Sequence, residues 1–325
     1  MVLIPHYKVA TQVRKGVIKL NANEGPDFLG KFFNGYPSPQ PEYCLEYFSN
    51  FYSVDRDHIM MSSGIDGGLD TLFKWARFKG MNLLSFSPTY GFYRILAEQL
   101  GVQYQEIPFL KGGELPRLKT PISKTIVILC RPNNPTGESC NKMDIWDLLD
   151  QLDRDSLLFI DEAYADLEDE ESMMGLVGHP QVLLGRTLSK AYSLAGLRVG
   201  HMLGNSTLIE TLRPFLPPYP IARSTIKVLE KLIKENYFLK IRCHFPLIKE
   251  RRKKLMELIG PFGLCFNSKA NFVTLQSERC LSLYREGLKE GILFRLFEKD
   301  NILRLSIPEA SDMEKVSEFF KRRKP

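Results

Sequence analysis

Short apolar runs alternate with amphipathic stretches through the first two thirds of the chain. His58-Ile-Met-Met61 reads as a strand. Residues 66–78 then form a helix, with Leu69, Leu72, Phe73 and Ala76 at the spacing of one buried face. Asn82-Leu-Leu-Ser-Phe86 is strand-like and residues 90–100 are helical. Thr125-Ile-Val-Ile-Leu-Cys130, Ser156-Leu-Leu-Phe-Ile160 and residues 182–185 are further strands, with a helix over 143–152 before the second of these. Continuous apolar strands between helices predict a mostly parallel mixed sheet covered on both faces. Ligands of such α/β sheets sit at the carboxyl ends of the strands.

The pattern changes at Arg213-Pro-Phe-Leu-Pro-Pro-Tyr-Pro220, where four prolines in eight residues cannot continue a helix. Beyond it, residues 224–259 read as one long helical stretch with Pro246 as its break. Strands follow over 271–275, 292–295 and 302–307, with a helix near 279–289 and another after Asp312. This predicts a smaller α+β domain. The division expected is an arm over 1–35, a large domain over 36–222 and a small domain over 223–325.

The 325 residues are 44% hydrophobic and 25% charged, ordinary globular values that exclude a disordered or collagen-like chain. No apolar run approaches the ~20 residues of a membrane span, and the first residues lack a signal peptide's charged start and long apolar segment. A cytoplasmic protein is expected. Six cysteines are too sparse for a disulfide scaffold and show no zinc-ligand spacing, so buried thiols and no metal are expected. The net charge of +6 is spread along the chain, with its densest runs at Arg251-Arg-Lys-Lys254 and Lys321-Arg-Arg-Lys324. Both fall in helix-like stretches where a solvated face accounts for them, and no nucleic-acid-binding motif accompanies them.

Four segments at or beside predicted strand ends carry the candidate chemistry. Arg131-Pro-Asn-Asn-Pro-Thr-Gly137 is, by itself, a turn. In Phe159-Ile-Asp-Glu-Ala-Tyr164 a carboxylate pair could be a solvated edge, a metal ligand or a proton partner. Arg186-Thr-Leu-Ser-Lys-Ala-Tyr-Ser-Leu-Ala-Gly-Leu-Arg-Val-Gly200 sets Lys190 among hydroxyl residues, with Arg198 eight positions later. Ser62-Ser-Gly-Ile-Asp-Gly-Gly68 is a glycine-rich helix opening whose free N–H groups could hold a phosphate. Together they supply an amine for a Schiff base, a carboxylate for a pyridinium nitrogen, and hydroxyl, guanidinium and N–H donors for a phosphate. That is the inventory of a pyridoxal 5'-phosphate (PLP) pocket.

With these segments the chain resembles the fold-type I, class I/II aminotransferases, and within them the histidinol-phosphate aminotransferase branch. The resemblance runs in order through Pro5-His6-Tyr7, Leu20-Asn-Ala-Asn-Glu24, Tyr36-Pro37, Gln40-Pro41, Ser87-Pro-Thr-Tyr-Gly91, Ala270-Asn-Phe-Val273 and Leu303-Arg-Leu-Ser-Ile307. It implies a large PLP-binding domain and a smaller C-terminal domain.

The resemblance further implies that Lys190 joins PLP covalently and later shuttles a proton between the substrate α-carbon and the cofactor. Asp161 would keep the pyridine nitrogen protonated, and Asn134 and Tyr164 would hydrogen-bond the O3′ atom. Tyr90 would stack on the ring. Thr187, Ser189 and Arg198 would hold the phosphate with backbone N–H groups around Gly64, Ile65 and Asp66. Tyr36 would reach the phosphate of a neighbouring subunit, which implies a homodimer with its active sites at the subunit interface.

Arg304 and Arg295 would grip a substrate phosphate, as in this branch, although in most other aminotransferases the first grips the α-carboxylate. Asn23 and Tyr7 match positions on the substrate side, and Tyr7 could equally pack as a covering aromatic. The sequence departs from the pattern where Gly67 replaces a usual Glu, where Pro308 replaces a usual Gly, and in a short segment between Arg295 and Arg304. These changes lie on the substrate side.

The implied reaction moves an amino group from L-histidinol phosphate to 2-oxoglutarate. A threonine-phosphate decarboxylase-like enzyme and an aminotransferase of aromatic or other ordinary amino acids are the alternatives within this fold. A PLP-binding sensor without turnover would normally carry a fused DNA-binding domain, for which the short arm leaves no room.

Overall fold

The computed structural model describes residues 20–26, 28, 33–110, 112–118, 122–168 and 171–323. Seven strands form the large sheet: β1 (Ile59–Ser63), β2 (Asn82–Ser87), β3 (Tyr104–Pro108), β4 (Thr125–Cys130), β5 (Leu157–Asp161), β6 (Val182–Thr187) and β7 (Val199–Gly204). Their order is β1-β7-β6-β5-β4-β2-β3, and every pairing from β6 to β3 is parallel. β7 runs antiparallel to both its neighbours.

Every residue of β4, β5 and β6 is buried, because helices cover both faces. Strand alternation divides them between two cores. Ile126, Ile128, Leu157, Phe159 and Leu183 face one layer, and Val127, Leu129, Leu158, Ile160 and Leu184 face the other. Helix α2 (Gly64–Lys79) packs on the first layer through Leu69, Leu72, Phe73 and Ala76, all fully buried.

The expected long helix over 224–259 is three helices: α6 (Arg223–Lys234), α7 (Tyr237–Arg242) and α8 (Phe245–Ile259). Asn236 in the left-handed region (φ 54°) makes the first break, and Cys243 and His244 make the second. Pro246 lies in the first turn of α8, where a missing N–H leaves no helical hydrogen bond unmade, so it starts a helix rather than breaking one. Ile226, Leu229 and Ile233 of α6, Phe238 of α7 and Phe245 at the start of α8 belong to the large-sheet core. The change of core therefore comes inside α8, downstream of the proline run.

Leu255 and Ile259 of α8 instead pack on a second sheet of β8 (Leu264–Cys265), β9 (Phe272–Gln276), β10 (Arg295–Phe297) and β11 (Ile302–Ser306). Its order is β10-β11-β9-β8 and all its pairings are antiparallel.

This small sheet docks on the loop that follows β4. Thr274 Oγ1 donates to the Pro135 carbonyl at 2.6 Å, and Lys269 N donates to the Gly137 carbonyl at 2.7 Å. No helix among the described residues is long and apolar enough to cross a membrane.

Candidate active site

The carboxyl ends of β4, β5 and β6 open into a cavity of about 630 Å³ between the large sheet and the small one. Ile65, Asp66, Tyr90, Asn134, Asp161, Tyr164, Thr187, Ser189, Lys190, Arg198, Arg295 and Arg304 all line it. Four cations against two carboxylates suit it to anionic ligands.

Asp161 ends β5 and is almost fully buried. Its Oδ2 accepts from Tyr93 at 2.5 Å and its Oδ1 accepts from the Ala163 amide at 3.0 Å, which fixes the carboxylate at the cavity floor. Burial pushes its pKa up to about 6, against the pull of these two donors. A carboxylate stressed in this way gains from a cationic N–H partner.

Lys190 follows β6, with its Nζ 5.5 Å from the centre of the Tyr164 ring. Burial and the nearby Arg304 push its pKa below the usual lysine range, which favours the neutral amine that covalent chemistry requires. Tyr164 is buried beneath Phe272 of β9, edge-on at 5.2 Å, and burial raises its pKa. Asn134 Oδ1 accepts from Arg304 Nη1, leaving the Asn134 amide N–H group free to donate into the cavity.

The other end of the cavity is a cradle of donors. Thr187 Oγ1 donates to Ser189 Oγ at 3.0 Å, and Arg198 Nη2 pairs with Asp66 at 2.8 Å. The N-terminus of α2 completes it. Two glycines allow this approach. Gly64 sits at φ 68°, and a Cβ on it would lie 2.7 Å from Arg198 Nη2. A Cβ on Gly200 would lie 2.5 Å from the Gly64 carbonyl carbon and 2.6 Å from the Ile65 nitrogen. Only glycine lets β7 meet the helix opening this closely.

These features fit PLP. The stressed carboxylate suits a pyridinium nitrogen, the cradle suits a phosphate, and the depressed lysine lines the same cavity. The family profile of class I and II aminotransferases matches residues 17–322. The chain belongs to that family. It is a PLP-dependent transaminase.

Among relatives of this aminotransferase, the histidinol-phosphate aminotransferase of Francisella philomiragia is 30% identical over 322 residues, covering 94% of this chain and 89% of the relative. Histidinol-phosphate aminotransferase 1 of Haemophilus influenzae is 29% identical, covering 98% and 92%. The structure of the histidinol-phosphate aminotransferase from Clostridium acetobutylicum superimposes with a TM-score of 0.76 at 21% identity, over 90% of this chain and 91% of that one.

Two expected site residues are not brought to the cavity. Tyr36 is 51% exposed and stacks on Tyr219 at 4.4 Å, against a separate groove. Asn23 is exposed, at φ 53°, and is not among the lining residues. Tyr7 lies outside the described residues.

The sequence reading passed over Tyr93, which orients Asp161, although it sits one helical turn after Tyr90. It also passed over Phe92, Ile95 and Phe297, the cavity's apolar wall. Gly67, where a glutamate is usual, has room: a Cβ would meet only Ser63 Cβ at 3.4 Å and Ser62 Cβ at 3.8 Å. Packing does not require its loss of a side chain.

Proposed function

We propose that this aminotransferase takes the amino group of L-histidinol phosphate and passes it to 2-oxoglutarate. One observation carries the reading. Arg295 and Arg304 stand directly opposite each other in the β10–β11 register, and both line the cavity. Like charges paired across strands repel, and Arg304 is already held below its usual pKa by burial and by Arg295. A doubly charged phosphate relieves both guanidiniums, whereas a single carboxylate suits one. The names of the relatives at 29–30% identity agree with a phosphate-bearing donor.

In this reading Lys190 is the covalent anchor and then the base at the substrate α-carbon, and Asp161 holds the ring nitrogen protonated. Asn134 and Tyr164 fix the O3′ atom, and Tyr90 covers the ring. Thr187, Ser189, Arg198 and the amides at Gly64, Ile65 and Asp66 hold the cofactor phosphate. Bound PLP supplies the aldehyde that captures the amine and the ring that accepts the electron pair from the α-carbon.

Tyr7 completes the substrate side. The exposed Tyr36 faces a second copy of the chain, so the working unit is a homodimer. Six free cysteines, four of them buried, agree with action in the reducing cytoplasm.

The test is the visible absorbance of the PLP-loaded protein with L-histidinol phosphate and no acceptor. Loss of the band at stoichiometric donor is the expected result. An inert band with histidinol phosphate, together with carbon dioxide release from threonine phosphate, would replace this reading with the decarboxylase one. Full activity in a monomer at high dilution would remove the dimer.

A further inference from the structure

Asp161, Thr187 and Lys190 each have a near neighbour in the chain that belongs to a second, buried cluster. Strand alternation turns Glu162, after Asp161, and Arg186, before Thr187, to the face opposite the cavity. There Arg186 is 4% exposed and Glu162 is fully buried. Arg186 Nε and Nη2 reach Glu162 Oε2 at 2.8 and 2.6 Å, Nη1 reaches Asp166 Oδ1 at 2.5 Å, and Nη2 donates to Ser172 Oγ at 2.7 Å. Tyr192, two residues after Lys190, donates to the same Asp166 oxygen at 3.3 Å. Behind them Tyr52 shares a hydrogen bond with His201 Nδ1 at 3.1 Å, and His201 is the register partner of Arg186.

We propose that Arg186 is a positioning residue for the cofactor: its fork ties the ends of β5 and β6 and the Lys190 turn into one rigid frame. The inference rests on the assignment of Asp161, Thr187 and Lys190 to PLP. A buried ion pair adds little stability over well-packed apolar side chains, so directed bonds to two carboxylates and a hydroxyl at this place serve orientation rather than cohesion. The Asp161 and Thr187 backbones are the points from which the ring-nitrogen and phosphate contacts project, and both adjoin the fork in sequence. A lysine in place of Arg186 reaches one carboxylate and abandons the other.

The test compares Arg186→Lys with Arg323→Lys. Arg323 likewise bridges two carboxylates, Glu286 and Glu290, in a more exposed setting in the small domain, away from the cavity. Apoprotein is titrated with PLP, the pH midpoint of the bound visible band is recorded, and Tm is measured for each variant. Arg186→Lys is expected to weaken PLP binding about tenfold and to move the band midpoint by about half a unit. Arg323→Lys should lower Tm only. Glu162→Gln, which keeps the side-chain shape, should show the same two changes at smaller size, and stands in if Arg186→Lys does not fold.

PLP affinity and midpoint at wild-type values in folded Arg186→Lys, or in Glu162→Gln, would overturn the proposal. A wild-type protein without a visible band, or a Lys190→Ala variant that keeps it, would instead overturn the site assignment and this inference with it.

Discussion

Replacing Asp161 by Asn should have opposite effects on the empty and the loaded protein. In the empty site the carboxylate is buried, and its pKa stands at about 6 against an ordinary value of 3.8. A carboxyl raised on folding contributes stability below its unfolded pKa, and that contribution is lost as pH rises through the folded value. At about 1.36 kcal/mol per pKa unit, the ionised Asp161 costs the apoprotein about 3 kcal/mol above pH 6.

Asn keeps its oxygen for the Ala163 amide, can donate its NH2 group to the Tyr93 hydroxyl oxygen, and carries no charge. Apo Asp161→Asn should therefore melt several degrees higher than wild type at pH 8, and the gain should shrink towards pH 4. The loaded protein should behave the other way. Without an anion beside the ring nitrogen, PLP affinity should fall at least about tenfold and kcat about a hundredfold. Thermal melts of apo and loaded protein at pH 5 and 8, with a PLP titration, read both effects. Apo Asp161→Asn less stable than wild type by an equal amount at both pH values would refute the account of a carboxylate strained by burial.

Gly200→Ala should cost about 1–3 kcal/mol and weaken PLP binding, because its Cβ meets backbone atoms of Gly64 and Ile65 that cannot swing aside. Gly196→Ala, with nothing within 4 Å, is the control, and paired melts and PLP titrations check the contrast. Arg304→Lys should raise KM for a phosphate-bearing donor about tenfold or more while retaining the visible band. Steady-state kinetics with L-histidinol phosphate check it, since lysine replaces a fork with a point charge.

The large sheet was legible wherever a strand is apolar on both faces. β4 and β5 declare themselves by composition alone, and the α2 stripe of Leu69, Leu72, Phe73 and Ala76 by period. β7 was not read as a strand because Val199-Gly-His-Met-Leu-Gly204 carries two glycines and a histidine. Those residues serve its neighbours: Gly200 admits the α2 opening, and His201 meets Tyr52. The stretch over 224–259 has helical composition throughout, and only the left-handed turn at Asn236 and the solvent-facing break at Cys243 divide it. Helical periodicity tolerates a turn of that kind without losing its phase visibly.

Residues of the candidate site were legible where chemistry and strand end coincide, as at Asp161 and Lys190, because a parallel sheet presents its carboxyl edge to a ligand whatever the sequence between. Glu162 shows the limit of that logic. Asp161 and Glu162 are equivalent in composition, and the sequence left the pair as a solvated edge, a metal ligand or a proton partner. What separates them is the direction each takes from β5. Asp161 turns to the cavity and Tyr93, while Glu162 turns to Arg186 on the opposite face. Alternation predicts that they part, but not which of them meets a guanidinium, because Arg186 approaches from another strand 24 positions away. One carboxylate is therefore left stressed and available to a ligand, and its neighbour is bound to a protein cation. That difference exists only after β5 and β6 have paired.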